Sequence, residues 1–254
     1  MNPILELDHV SKSFGGLKAV DRVSFRIEPG EIFGLLGPNG AGKTVCFNLI
    51  SGVFPPNEGS IFFDGMRTDG LPSHRMAKLG LGRTFQIVKP FSNVTVLENV
   101  VAALGISRYD RLTAIWSSRM DKRIRSKAME LLEQVGLTGI AHRKAGLLPL
   151  GNLRRLEIAR ALAVGTKLIL LDESFSGLRH EEILQLESLV RQIRDAGRTI
   201  LLIEHNMKVA MGLCERIVVL DHGRVLAQGS PEEIRSNPAV IEAYLGKQGG
   251  SHAA

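Results

Sequence analysis

The 254-residue sequence predicts an α/β fold with a mostly parallel sheet, an N-terminal antiparallel β part and a helical insert. Three observations predict it. Apolar runs rich in Val, Ile and Leu at Ile32–Leu36, Lys167–Asp172 and Thr199–Glu204 read as strands buried on both faces, as parallel strands are. Short strands joined through Gly15-Gly16 open the chain. Between about Lys89 and Leu147 no long strand pattern occurs and the apolar spacing turns helical.

In order, Leu5–Val10 and Val23–Ile27 read as the first two strands, and Ile32–Leu36 as a buried third. Gly37-Pro38-Asn39-Gly40-Ala41-Gly42-Lys43-Thr44 follows directly, before a helix-compatible stretch from Val45 to Ile50. Strand, glycine loop, helix is the P-loop arrangement, whose backbone N–H groups wrap the phosphates of a nucleotide. The glycines let the backbone approach an anion closely. Lys43 supplies a point charge to the β- and γ-phosphates, and the Thr44 hydroxyl can ligate Mg²⁺. The N-terminus of the next helix adds its positive dipole end.

Ile61–Phe63 before Asp64-Gly65 reads as a strand and turn, and Ser73–Leu79 as a short helix. In Lys122–Gly136, Ile124, Ala128, Leu131, Leu132 and Val135 share one helical face, which Gly136 ends. Glu181–Ala196 reads as a helix with Ile183, Leu186, Leu189, Val190 and Ile193 inward. Arg216–Asp221 and Arg224–Gln228 form a hairpin about His222-Gly223, and Ser230-Pro231-Glu232-Glu233 is a capping signature with Pro at the first helical position.

Composition excludes several function classes. Hydrophobic residues make up 44%, enough for a real core, and aromatics only 5%. No apolar run approaches the ~18 residues of a membrane span, so the chain is expected to depend on other polypeptides for any pore. The N-terminus lacks the pattern of a signal peptide. Cys46 and Cys214 have no metal-ligand spacing and fit a reduced, cytosolic setting. Net charge is +6, but the basic residues are scattered; the densest stretch, Arg119–Lys127, alternates with apolar positions as a solvated helix face does, so no nucleic-acid partner is expected.

Leu168–Leu171 is an apolar strand ending in Asp172-Glu173. Asp172 would stand at the carboxyl edge of the sheet, where such folds bind ligands, and can hold Mg²⁺. Glu173 can polarise an attacking water. Leu148-Pro149-Leu150-Gly151-Asn152 precedes a helix running through Arg154-Arg155-Leu156-Glu157.

With these segments the chain resembles the ATP-binding subunits of ABC transporters, over roughly residues 4 to 246 and in that family's order. The resemblance implies one ABC ATP-binding domain across 1–254: a core of 1–88 and 157–246, a helical subdomain at about 89–156, and a tail at 247–254. It makes Phe14 the aromatic that stacks on adenine and residues 37–44, with Val45 beside them, the Walker A loop. Gln86 in Arg83-Thr84-Phe85-Gln86 becomes the Q-loop residue, a further Mg²⁺ ligand with Thr44 and Asp172. Residues 168–173 match Walker B, Ser176-Gly177-Leu178 the D-loop, and His205 the switch histidine that contacts the γ-phosphate. Gly151 stands at the signature helix, whose N-terminus faces the partner's nucleotide. ATP and Mg²⁺ are the implied cofactors. The implied partners are transmembrane permease subunits, a second ATP-binding subunit and, indirectly, a solute-binding protein, at the cytoplasmic face of the inner membrane.

Within the family the chain looks most like the branched-chain amino acid importer ATPases, through Phe14-Gly15-Gly16-Leu17-Lys18-Ala19-Val20, Arg83-Thr84-Phe85-Gln86, Arg154–Arg160 and Glu242-Ala243-Tyr244-Leu245-Gly246. Urea importers and a lipopolysaccharide-export ATPase share some of these phrases. A weakly hydrolysing partner in an asymmetric pair is the alternative. Six positions depart from the family's usual pattern: Val45, Cys46, Pro149, Asn152, Ser174 and Arg179.

Overall fold

The computed structural model describes residues 2–84, 90–106 and 118–245. The elements run β1 (Leu5–Phe14), β2 (Leu17–Ile27), β3 (Ile32–Leu36), α1 (Lys43–Ile50), β4 (Glu58–Phe63), β5 (Met66–Arg67), α2 (Ser73–Leu79), β6 (Leu81–Arg83), α3 (Val96–Ile106), α4 (Ser118–Gln134) and α5 (Leu150–Ala163). They continue with β7 (Leu168–Asp172), α6 (His180–Asp195), β8 (Thr199–Ile203), α7 (Met207–Leu213), β9 (Arg216–Asp221), β10 (Arg224–Gly229), α8 (Pro231–Ser236) and α9 (Pro238–Leu245). The chain divides into two compact units, residues 1–76 with 193–254, and residues 77–192.

In the first unit, β1 pairs antiparallel with β2 and β4, and β5 adds to β4. Alternation drives this: Leu5, Leu7, Val10, Val20, Val23, Phe25 and Ile27 are buried, and Leu5↔Ile27 and Leu7↔Phe25 are in register. Both strands are longer than their patterns suggest, because bulges break the alternation. The register slips after Leu7 and after Asp8, next to His9, whose φ is 49°. A second sheet holds β3 parallel between β8 and β9, with β10 antiparallel on β9. All five residues of β3 and of β8 are buried, as a parallel strand covered on both faces requires.

Ser230 forms the expected capping box at α8: its hydroxyl accepts from the Glu233 N–H, and the Glu233 carboxylate accepts from the Ser230 N–H at 2.7 Å. Arg216 binds Glu31 twice, at 2.9 and 3.1 Å, with its guanidinium 5.2 Å from the centre of the Phe33 ring.

In the second unit, β6 and β7 pair in parallel, with Leu81↔Leu168 and Arg83↔Leu170. The helices α3, α4 and α5 pack on one another. Val96, Val100, Ala128, Leu132, Leu156 and Ala159 are buried there. Thr95 and Glu98 cap α3 reciprocally: Glu98 Oε2 accepts from the Thr95 N–H at 2.7 Å and Thr95 Oγ1 from the Glu98 N–H at 3.1 Å. Asn99, fully buried, accepts from the Phe91 N–H and donates to the carbonyls of Phe91 and Thr95. That closes the segment entering α3.

Candidate nucleotide site

The first unit carries the glycine loop. β3 ends at Leu36 and α1 begins at Lys43, so the loop spans the carboxyl end of a buried parallel strand and a helix N-terminus. Packing demands glycine at two points. A Cβ at Gly37, where φ is 147°, would overlap the Leu220 carbonyl oxygen, and one at Gly42, where φ is 100°, would lie 2.6 Å from the Ala19 oxygen. The Gly223 N–H donates to the Ala41 carbonyl at 3.1 Å, tying the loop to the β9–β10 turn.

Lys43 is 5% exposed, and its Nζ donates to the carbonyls of Gly37 at 2.6 Å and Pro38 at 2.9 Å. Asn39, Gly40 and Thr44 are exposed; Pro38 and Ala41 are buried, and Val45 is half-buried. Cys46 behind them is fully buried, which pushes its thiol up to about 12 and leaves it inert filler.

Phe14 closes β1 with 47% of its surface exposed. Its ring meets Phe54 edge-on at 5.4 Å, and Lys12 Nζ lies 5.6 Å from one ring centre and 5.2 Å from the other. Lys12 also donates to the Pro55 carbonyl at 2.7 Å. Phe54 and Lys12 escaped the sequence reading. The only local signal is that Lys12 stands two residues before Phe14, on the same strand face. His205 is exposed just beyond β8, followed by Asn206, whose side chain caps α7 through the Lys208 and Val209 N–H groups.

The second unit carries the acidic pair and α5. Asp172 ends β7 with 5% exposure, and its Oδ2 accepts from Arg83 Nη2 at 3.1 Å. Burial pushes the Asp172 carboxyl up, while the Arg83 guanidinium pulls it the other way. Glu173 is half-buried and its backbone is left-handed, with φ 48°. Thr84 and Ser174, both 1% exposed, approach each other at 3.1 Å between hydroxyl oxygens. Gly151 lies in the first turn of α5, whose N-cap is Pro149, and a Cβ there would lie 2.7 Å from Glu182 Oε1. Arg179, exposed, precedes α6, and its N–H donates to Glu182 Oε2 at 2.9 Å. Gln86 lies outside the described residues.

The sequence-selected residues therefore fall on both units: Phe14, residues 37–45 and His205 on the first, and Gly151, Asp172 and Glu173 on the second. Thr44 and Asp172 offer a hydroxyl and a carboxylate, hard oxygen donors of the kind Mg²⁺ takes beside phosphate oxygens and water.

Residues 20–176 match the family model described as ABC transporter. The chain belongs to the ABC transporter ATP-binding family. Its residues 224–249 match a second model, described as branched-chain amino acid ATP-binding cassette transporter. The high-affinity branched-chain amino acid transport ATP-binding protein BraF of Pseudomonas aeruginosa is 41% identical over 251 residues, covering 96% of this chain and 98% of that protein. A solved ATP-binding cassette of an ABC transporter in its ADP conformation has a TM-score of 0.87 at 29% identity, covering 97% of this chain and all of that one. A dimeric cassette in a post-hydrolysis state with ADP and Pi has a TM-score of 0.76 at 28% identity, covering 89% of this chain and 98% of that one.

The expected fold class is borne out, as is the likeness to ABC ATPases and within them to the branched-chain amino acid group. As an ABC ATPase the chain binds nucleotide and hydrolyses ATP, in a family that works in pairs with transmembrane subunits. Among the described residues no helix is long and apolar enough to cross a membrane.

Proposed function

We propose that this ABC ATPase powers import of branched-chain amino acids, bound to permease subunits at the cytoplasmic face of the inner membrane and fed indirectly by a solute-binding protein. The observation that carries the ATPase reading is the loop itself: glycine backbone packed against the carbonyls of Leu220 and Ala19, enclosing a buried Lys43. The solute class is supported by the C-terminal match and by the likeness to BraF.

Residues 37–45 hold the triphosphate, and Lys43 leaves the carbonyls of Gly37 and Pro38 for the β- and γ-phosphate oxygens. Phe14 offers its exposed face to adenine. Thr44, Asp172 and Gln86 would hold Mg²⁺, which neutralises charge on the phosphate oxygens when bound. Glu173 accepts a proton from the attacking water, and His205 contacts the γ-phosphate. Gly151 and the first turn of α5 face the γ-phosphate bound by a second ATP-binding subunit, so closure needs ATP and hydrolysis releases it. The core spans 1–88 and 157–246, and the helical subdomain at about 89–156 docks the permease.

Reconstitution with its permease in proteoliposomes tests this. ATP inside the vesicle should drive uptake of radiolabelled leucine or valine when the solute-binding protein is outside. ATP hydrolysis without uptake of either amino acid would overturn the solute assignment and leave the ATPase standing.

A further inference from the structure

We infer that Arg83 and Thr84 are positioning residues for Glu173, holding the residues on both of its sides so that its carboxylate is aimed at the attacking water. The inference rests on the reading of Glu173 as the group that activates water.

Among the described residues Glu173 is one of five non-glycine residues with positive φ, and it sits between two residues that are almost completely buried. A left-handed backbone at a glutamate is strained, and strain of this kind persists only where the surroundings over-determine it. The surroundings here are the end of β6. On the N-terminal side of Glu173, Asp172 is held twice. Its carboxylate accepts from Arg83 at 3.1 Å, and its backbone N–H donates to Thr84 Oγ1 at 3.3 Å. On the C-terminal side, the Ser174 hydroxyl meets the same Thr84 Oγ1 at 3.1 Å.

The Thr84 hydroxyl has one proton and two lone pairs. It donates to the Leu170 carbonyl at 3.4 Å and accepts from the Asp172 N–H and the Ser174 hydroxyl, which uses its whole capacity. The Thr84 N–H, in turn, donates to the Leu170 carbonyl at 2.9 Å. One buried side chain thus bridges the residues before and after Glu173. The Ser174 departure from the family's usual proline gains a physical reason, since proline offers no hydroxyl to this bridge. Misplacing a catalytic group by about an ångström can cost on the order of a hundredfold in rate, so such a bridge has a kinetic consequence.

The test uses the assembled transporter and compares kcat, KM for ATP and equilibrium ATP affinity. Thr84→Val keeps the shape and removes the hydroxyl. It should lower kcat about tenfold with KM and ATP affinity unchanged, and Thr84→Ser should recover most of the rate. In a Glu173→Gln background, Thr84→Val should not slow single-turnover hydrolysis further, because both changes act through one carboxylate. Should Thr84→Val fail to fold by thermal melting, Ser174→Ala decides: it leaves the Thr84 bonds to Leu170 and Asp172 intact and should reduce kcat severalfold at constant ATP affinity.

Wild-type kcat in the folded variant, a loss of ATP affinity in step with kcat, or a full additional loss in the Glu173→Gln background would each overturn the inference. Failure of the underlying reading looks different. In that case Glu173→Gln itself would turn over ATP at the wild-type rate.

Discussion

Lys43 is bonded to the loop that it closes: its ammonium donates to the Gly37 carbonyl at 2.6 Å and to the Pro38 carbonyl at 2.9 Å. A triphosphate exchanges these two neutral acceptors for charged ones, and a hydrogen bond to a charged group contributes about 1.5–3 kcal/mol. Lys43→Met keeps the buried stem and removes the charge. ATP affinity, followed by equilibrium titration with a fluorescent analogue, should fall by roughly 10- to 100-fold, with the secondary structure by circular dichroism unchanged.

Arg216 and Glu31 join the entry of β3 to the start of β9. Glu31 is 8% exposed, and its Oε1 also accepts from the Glu28 N–H at 2.6 Å. Burial pushes the Glu31 carboxyl up, and the Glu28 N–H and the Arg216 guanidinium hold it back. Arg216→Met leaves that carboxylate without its cation. Because Arg216 is partly exposed, the cost is set at about 1–2 kcal/mol, the lower part of the range for a broken charge-assisted pair. Urea denaturation should show it as a lower midpoint with an unchanged slope.

Cys46 gives a pH dependence of definite sign. Its thiol is pushed from 9.0 to about 12 by burial, so the folded protein holds its proton where the unfolded chain releases it. Between those two values the native state binds more protons, and stability therefore falls as pH rises from 9 toward 12. Three units correspond to a loss on the order of 4 kcal/mol over that window. Denaturation midpoints of the wild-type protein should drop more steeply there than those of Cys46→Ala, and parallel profiles would remove the thiol as the cause.

Arg179 places a long cation where the family usually has a short polar group. Its side chain is not needed for the local fold, since the contact that caps α6 is made by its backbone N–H to Glu182 Oε2. Arg179→Asn supplies a better N-cap side chain. It should raise steady-state turnover of the assembled transporter severalfold if the cation slows closure. Unchanged turnover would remove Arg179 as a brake and with it the reason to expect an asymmetric pair.

The parts legible in the sequence are those where one local rule decides. Ile32–Leu36 is uniformly apolar and is followed by Gly37, so strand and loop could be placed together. Leu168–Leu171 delivers Asp172 for the same reason, and Ser230-Pro231-Glu232-Glu233 states its own cap. The rest depends on partners distant in sequence. β1 runs on to Phe14 past His9, whose positive φ breaks the alternation. β6 is three residues long, too short for a pattern, and it exists because Leu81 and Arg83 pair with Leu168 and Leu170. That hid the contacts of Arg83 and Thr84 with Asp172. Phe54 stands forty residues from Phe14, so their edge-on contact had no local signature. The short helices α7 and α9 carry too few turns for a periodicity, although Asn206 and Pro238 mark their starts. The Thr95–Glu98 box was there to be read as Thr-x-x-Glu.

The central claim is that Glu173 acts on water while two subunits are clamped around ATP. Glu173→Gln keeps the size of the side chain and removes its capacity as a base, so closure survives and hydrolysis falls to a slow residual rate. Size-exclusion chromatography of that variant with MgATP should show a stable dimer that reverts to monomer with ADP. A profile that stays monomeric with MgATP, while equilibrium titration shows the nucleotide bound, would contradict the account.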